Sequence, residues 1–378
     1  MTLASRAPAV LAVVCAAALV VVAPLSARTD VQVGVSTCHT WDPAWSPDGS
    51  RIAFGSVGIP LSDSGAGGVI ETVNAAGTDL HVLTSVPSPP SPASPESPMF
   101  HHDFQPRWSP DGRRLAFVTD WQVYNSGRTW DAWSLSVLDL STGTVTAIAD
   151  SAANPSWSRT GLLGYDLYEG PYLDNAGFVA GSSTFGDPSS DVEWSGPSWS
   201  PDGRHFAFEA DNYNTQRGRI FVMNPNGSYR PLVAGYGPNW SPDGRWIAYE
   251  TPSGQSINAI SPDGKRRRHL LTLDLNDASD HSVVWSPAGA RVAIGTTIVT
   301  LATGKARDLP VDPTGDYPGP SWSPDGRWLV YASSVLQLVR PDGTGVHSIN
   351  PCALTPRPAN TPTEAGLGPS HSQDRGHD

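Results

Sequence analysis

Lysine is almost absent from this sequence, occurring only at Lys265 and Lys305, and charged residues of all kinds make up 16% of the 378 residues. Helices rely on such straight-chain residues and are interrupted by glycine and proline. Here Gly and Pro are plentiful, at 37 and 36 copies, so a helical bundle or helical solenoid is excluded. Positive charge is scarce overall: the net charge is −12, the wrong sign for a phosphate backbone, which excludes nucleic acid as a partner. The chain also lacks Gly-x-Ser-x-Gly, His-Glu-x-x-His, Cys-x-x-Cys and a phosphate loop. It has no room for a hydrolase domain, and a peptidase reading fails.

Long apolar runs are scarce too. The run Ala9–Ala23 holds fifteen residues, short of the roughly 20 that a membrane span needs. Arg6 precedes it and Pro24-Leu25-Ser26-Ala27 follows. Residues 1–27 therefore read as a secretory signal, with an uncleaved anchor as the alternative. Cleavage would leave no stable membrane span and place the protein outside the cell or in the envelope or periplasm. The mature chain then keeps two cysteines, Cys38 and Cys352, and one pair in a secreted chain suggests a disulfide.

What is abundant is tryptophan, with 14 copies in a chain that is 39% hydrophobic. Trp-Ser-x-x-Gly occurs seven times, with Trp at 45, 108, 157, 199, 240, 285 and 322. Five copies read WSPDG; those at Trp157 and Trp285 are degraded to WSRTG and WSPAG. Spacings of 63, 49, 42, 41, 45 and 37 residues match a four-stranded blade, with an insertion in the first. In six copies a proline stands two residues before the Trp, which suits a strand with a free edge. Pro-Asp-Gly supplies a tight turn. An alternating strand follows, such as Ile52-Ala53-Phe54 or Leu329-Val330-Tyr331, and a second turn closes the third strand at Asn224–Gly227, Ser261–Gly264 and Arg340–Gly343. The Trp157 unit fits least well and is expected to have irregular outer strands.

These residues resemble the TolB-like, PD40 type of WD40-like β-propeller repeat, over roughly residues 39–350. The resemblance implies an all-β, seven-bladed propeller of four-stranded antiparallel blades, with six blades as the alternative. The boundaries expected are a signal at 1–27, the propeller at 28–352 and a disordered tail at 353–378. TolB itself carries an extra N-terminal α/β domain and six blades, so its biological role does not carry over. In a ring the two chain ends are neighbours, and a Cys38–Cys352 disulfide is expected to fasten them. The segment Pro87–Pro98 holds six prolines in twelve residues and reads as an extended arm.

The connections entering the first strand of each blade face the mouth at which propellers usually bind ligands. His39, His101, His102, Asp103, Asp280 and His281 fall there. Imidazole and carboxylate are ligands for a divalent metal, either Ca²⁺ or a transition metal. Aromatic residues accompany them: Trp121, Tyr124, Trp130, Tyr168, Tyr172, Trp194, Tyr213, Tyr236 and Tyr317, together with Glu193. Exposed Tyr and Trp beside acids and amides suit recognition of a protein segment or a glycan. The reading preferred is a monomeric, secreted, non-enzymatic binding scaffold with no required cofactor. The alternative is a metal-assisted polysaccharide lyase or hydrolase using the histidines, by analogy with a propeller-type oligosaccharide lyase.

Overall fold

The computed structural model describes residues 39–57, 67–85, 97–125, 128–169, 174–180, 183–185, 192–212, 218–224, 226–273, 283–312, 319–354 and 357–358. Among them no α-helix occurs; the one helical element is a 3-10 turn at Pro351–Ala353. No helix of the described residues is long and apolar enough to cross a membrane. The signal, the Pro-rich segment up to residue 96, Cys38 and the tail beyond 358 lie outside the described residues.

Each motif opens a run of antiparallel strands. The Trp240 unit is the plainest: Tyr236–Trp240, Ile247–Glu250, Ser256–Ile260 and Arg267–Thr272 pair in chain order. The units of Trp157, Trp199, Trp285 and Trp322 form four further four-stranded sheets, in an arrangement consistent with a β-propeller. The last strand of the Trp157 unit, Ser183–Phe185, has three residues, as does the last strand of the Trp322 unit, His347–Ile349. The first two motifs share one nine-stranded sheet instead of forming two. Three 12-residue strands, Ser97–Trp108, Arg114–Asn125 and Arg128–Asp139, reach beyond the usual blade length. The first of them pairs in parallel with Gly67–Val73 of the preceding unit, Gly67 opposite His101 and Gly68 opposite His102. Ser97 and Pro98 thus belong to a strand and not to the Pro-rich arm. Arg357–Pro358, in the segment composition left without structure, pairs with His81–Val82 at the edge of the same sheet.

The motif is a turn with its own hydrogen bonds. Ser323 Oγ donates to Asp325 Oδ1 (2.6 Å) and accepts from Trp328 N (2.9 Å). Gly326 N donates to Ser323 O (2.8 Å), at a positive φ that glycine adopts without strain. The motif serines hold Asp48, Asp111, Asp202 and Asp325 below the usual carboxylate range by hydrogen bonding, with backbone amides assisting.

The tryptophans sew neighbouring units together. Trp108, Trp157, Trp285 and Trp322 donate Nε1 to the carbonyls of Ala44, Arg107, Asn239 and Val284, at 3.0 to 3.1 Å. Each acceptor is the residue just before the previous motif Trp. Where that residue is serine, the contact changes. Trp240 N donates to Ser198 Oγ (3.0 Å) and Trp45 N to Ser321 Oγ (3.1 Å), and the indole N–H of Trp45, Trp199 and Trp240 stays buried without a partner. The second of these contacts joins the first unit to the last. The same two units share an apolar cluster containing Trp45, Ile52, Phe54, Val330, Leu338 and Ile349, and Thr40 N donates to Ser333 O (2.9 Å). Burying each Leu, Ile or Phe in such a cluster contributes about 1.5–3 kcal/mol.

Candidate functional site

Three positions before the motif Trp, just ahead of the proline, the backbone turns left-handed in five successive units: Asp42 (φ 49°), Gln105 (φ 51°), Asn154 (φ 54°), Gly196 (φ 62°) and Gly237 (φ 57°). These side chains, or their absence, tolerate that region better than β-branched residues do. Each turn makes a bulge in the first strand, seen as register shifts at Trp41/Ala44, Phe104/Arg107, Ser195/Ser198 and Tyr236/Asn239. The bulge frees one N–H from the strand ladder, and a side chain of the preceding unit takes it. Gln105 N donates to Asp42 Oδ2 (3.2 Å), Asn154 N to Gln105 Oε1 (2.8 Å), Gly196 N to Asp166 Oδ1 (3.1 Å) and Gly237 N to Glu209 Oε2 (2.9 Å).

Side chains complete a belt across these first strands. Gln105 Nε2 donates to Asn154 Oδ1 (2.8 Å), and Asn154 Nδ2 donates to Asp166 Oδ2 (2.9 Å) and to Tyr168 OH (3.2 Å). Tyr168 meets Trp133 edge-on at 5.2 Å, and Trp133 meets Phe104 at 6.1 Å. Asn154 is exposed, whereas Asp166 is 1% exposed. Amide groups are thus fixed in position beside an aromatic wall. Of the belt residues, Tyr168 is singled out in the sequence analysis, and Gln105, Asn154 and Asp166 are not. The belt's signal was present in the sequence as Asp-Pro, Gln-Pro, Asn-Pro and Gly-Pro at one motif position.

His101 and Asp103 lie in the protein interior and not on an open mouth. Both are buried, with His101 Nε2 3.3 Å from Asp103 Oδ1. Thr119 Oγ1 donates to Asp103 Oδ1 (2.7 Å), and His101 packs on Trp121 at 4.6 Å. Burial dominates both titrations: it pushes the Asp103 carboxyl up to about 7 and the His101 imidazole down to about 4. The carboxyl therefore holds the pair's proton. Nearby, Glu71 is buried, accepts from Ser56 Oγ (2.7 Å) and is raised by desolvation.

His102 is half-buried and faces Trp41 at 6.0 Å. Being consecutive on one strand, His101 and His102 project to opposite faces and cannot hold one ion together. His39 is exposed. Among the described residues no three His, Cys, Asp or Glu side chains form a group that could hold a metal ion, and Asp280 and His281 of the expected set lie outside those residues. Trp194 packs on Phe208 (4.9 Å) and Tyr229 (5.2 Å). Tyr236 lies against Gly218, where an added Cβ would come within 2.1 Å of its ring. Both serve packing. Of the expected site residues, Tyr172, Tyr213, Asp280, His281 and Tyr317 lie outside the described residues, as do the side chains of Tyr124, Trp130 and Glu193. Cys352 stands in the 3-10 turn, and the expected pairing falls outside the described residues with Cys38.

No protein-family model and no curated protein matches the chain. Solved structures do. A prolyl endopeptidase matches with a TM-score of 0.53 and 16% identity, covering 82% of this chain and 48% of that one. Prolyl oligopeptidase B from Galerina marginata matches with a TM-score of 0.51 and 12% identity, covering 82% of this chain and 50% of that one. This chain thus spans about half the length of these two proteins, and the likeness concerns the fold. An oligogalacturonate lyase in complex with manganese aligns over 80% of this chain and 89% of its own, with 14% identity and a TM-score of 0.44.

Proposed function

We propose that this chain is a secreted, seven-bladed propeller that works as a non-enzymatic binding module for a protein segment or a glycan. The blade count rests on the seven motifs and on the seam between first and last units, where Trp45 N and Ser321 Oγ repeat the contact of Trp240 N and Ser198 Oγ. The TolB-like type of repeat is the kinship we favour. A Cys38–Cys352 disulfide would lock the same seam. In such a ring the first strands line the axis, and Gln105 and Asn154 of the belt sit there, with the buried Asp166 of Leu163–Glu169 anchoring Asn154.

That belt is the observation carrying the functional reading. Amides held in place by two or three bonds each recognise hydrogen-bonding partners without first losing rotamer freedom. The wall of Trp133 and Tyr168 beside them supplies apolar contact. The test is a glycan array and a peptide library probed with the mature protein, with and without EDTA, and repeated with Asn154→Ala. Binding that survives EDTA and drops at least about tenfold in Asn154→Ala supports the module. Release of unsaturated sugar products that EDTA abolishes would overturn it in favour of the lyase.

A further inference from the structure

A cavity of about 550 Å³ opens among the motif turns, between the Trp45 and Trp108 units, and the belt residues do not line it. Its wall includes Arg51, Thr72, His81, Leu83, Trp108 and Asp111. Trp108 is half-buried, as are Trp157 and Trp199, and it borders this space. Its indole N–H is committed to Ala44 O, which fixes the ring in the seam.

Around that ring the polar groups are positioned but not exhausted. Arg51 donates through Nη1 to Asp79 O (3.1 Å) and through Nη2 to Asp79 Oδ2, and His81 Nε2 bonds Asp79 Oδ1 (3.0 Å). Arg51 Nε and His81 Nδ1 have no partner among the described residues. Asp111 accepts from Ser109 Oγ and Arg113 N with Oδ1 alone, leaving Oδ2 for a ligand. Leu83 adds apolar surface. A fixed aromatic ring, a leucine, an oriented guanidinium and imidazole, and one spare carboxylate oxygen make a mixed lining. A sugar ring is matched to it, since it has apolar C–H faces and an equatorial rim of hydroxyls that both donate and accept. The volume falls in the range of small-molecule sites, about 300–1,000 Å³.

We propose that this cavity is a carbohydrate subsite for one or two neutral sugar residues, with Trp108 as platform and Arg51, His81 and Asp111 as rim contacts. It stands apart from the belt and does not depend on it. The experiment is isothermal titration and saturation-transfer NMR on the full chain with a panel of neutral mono- and disaccharides. Wild-type protein, Arg51→Gln, His81→Ala and a distant control, Lys305→Ala, are compared, and thermal melting confirms that each is folded. Saturable binding of at least one sugar, weakened about tenfold or more in both Arg51→Gln and His81→Ala and unchanged in Lys305→Ala, is the expected result. The proposal is overturned by no saturable binding across the panel, or by binding that both cavity variants leave intact.

Discussion

The Trp240 and Trp322 units and the fused sheet of Trp45 and Trp108 share one motif but enclose different interiors. The regular units bury Ile247, Ala248, Ile257 and Ile260, or Leu329, Val330, Leu336 and Val339, and their buried non-aromatic polar residues are serines. The fused sheet buries Glu71, Thr84, His101, Asp103 and Thr119 as well. Apolar interiors stabilise by leaving water. Polar interiors first incur a desolvation cost, offset here by bonds such as Thr119 Oγ1 to Asp103 Oδ1 and Ser56 Oγ to the Glu71 carboxylate. The regular units thus supply stability, and the fused sheet supplies the chemical variety from which sites are made.

The sharpest way to break this contrast is at the closing seam. By removing the proposed Cys38–Cys352 disulfide, Cys38→Ala is expected to cost on the order of 5 kcal/mol in urea unfolding, the upper end of the chain-entropy range. Mass mapping without reduction should find both thiols of the mature wild type protected. Within the regular units, Ile257→Ala should cost about 2–5 kcal/mol, whereas Glu71→Gln in the fused sheet should cost less than about 1 kcal/mol. That difference follows because the raised acid is already inclined to neutrality and glutamine can still accept from Ser56. Ser323→Ala, which strips a buried turn of two hydrogen bonds, should fall between, at about 1–3 kcal/mol.

The subtlest expectation concerns pH. Asp103, raised from 3.8 to about 7, contributes stability that is full below pH 4 and lost as pH climbs to 7. His101, lowered from 6.5 to about 4, contributes stability that is present above 6.5 and lost as pH falls to 4. Between these limits the folded pair carries one proton on the carboxyl, and the unfolded pair carries one on the imidazole. The two dependences therefore cancel in the wild type. His101→Gln should unmask a stability that falls with rising pH, and Asp103→Asn one that rises, each with a slope of at most about 1.4 kcal/mol per pH unit. Equilibrium unfolding between pH 4 and 7 reads both signs, and flat profiles in both variants would refute the shared-proton account.

Much of the fold was legible because its determinants are local. WSPDG encodes a turn whose hydrogen bonds close within five residues, so each copy announced an antiparallel run, although seven copies meet six sheets because the first two share one. The polar belt was legible in principle, through the residue before each proline, but its partners come from neighbouring units and no single repeat contains both. The burial of His101 and Asp103 was not legible at all. Their position in the repeat suggested an open loop, and the long strand that pairs with them, Arg114–Asn125, carries no motif announcing its extra length. The neighbours of Trp194 and Tyr236 were not legible either: Phe208 and Tyr229 beside the first and Gly218 beside the second carry no signal of those contacts.

The parallel pairing of Gly67–Val73 with Ser97–Trp108 has a kinetic consequence. Elsewhere neighbouring units meet mainly through side chains and isolated hydrogen bonds, so one sheet can loosen while the next keeps its backbone ladder. Here two residue pairs, Gly67 with His101 and Gly68 with His102, join the third strand of one unit to the first strand of the next, and opening either strand there costs the other its partner. Amide protons of the first two units should therefore exchange with solvent as one cooperative block.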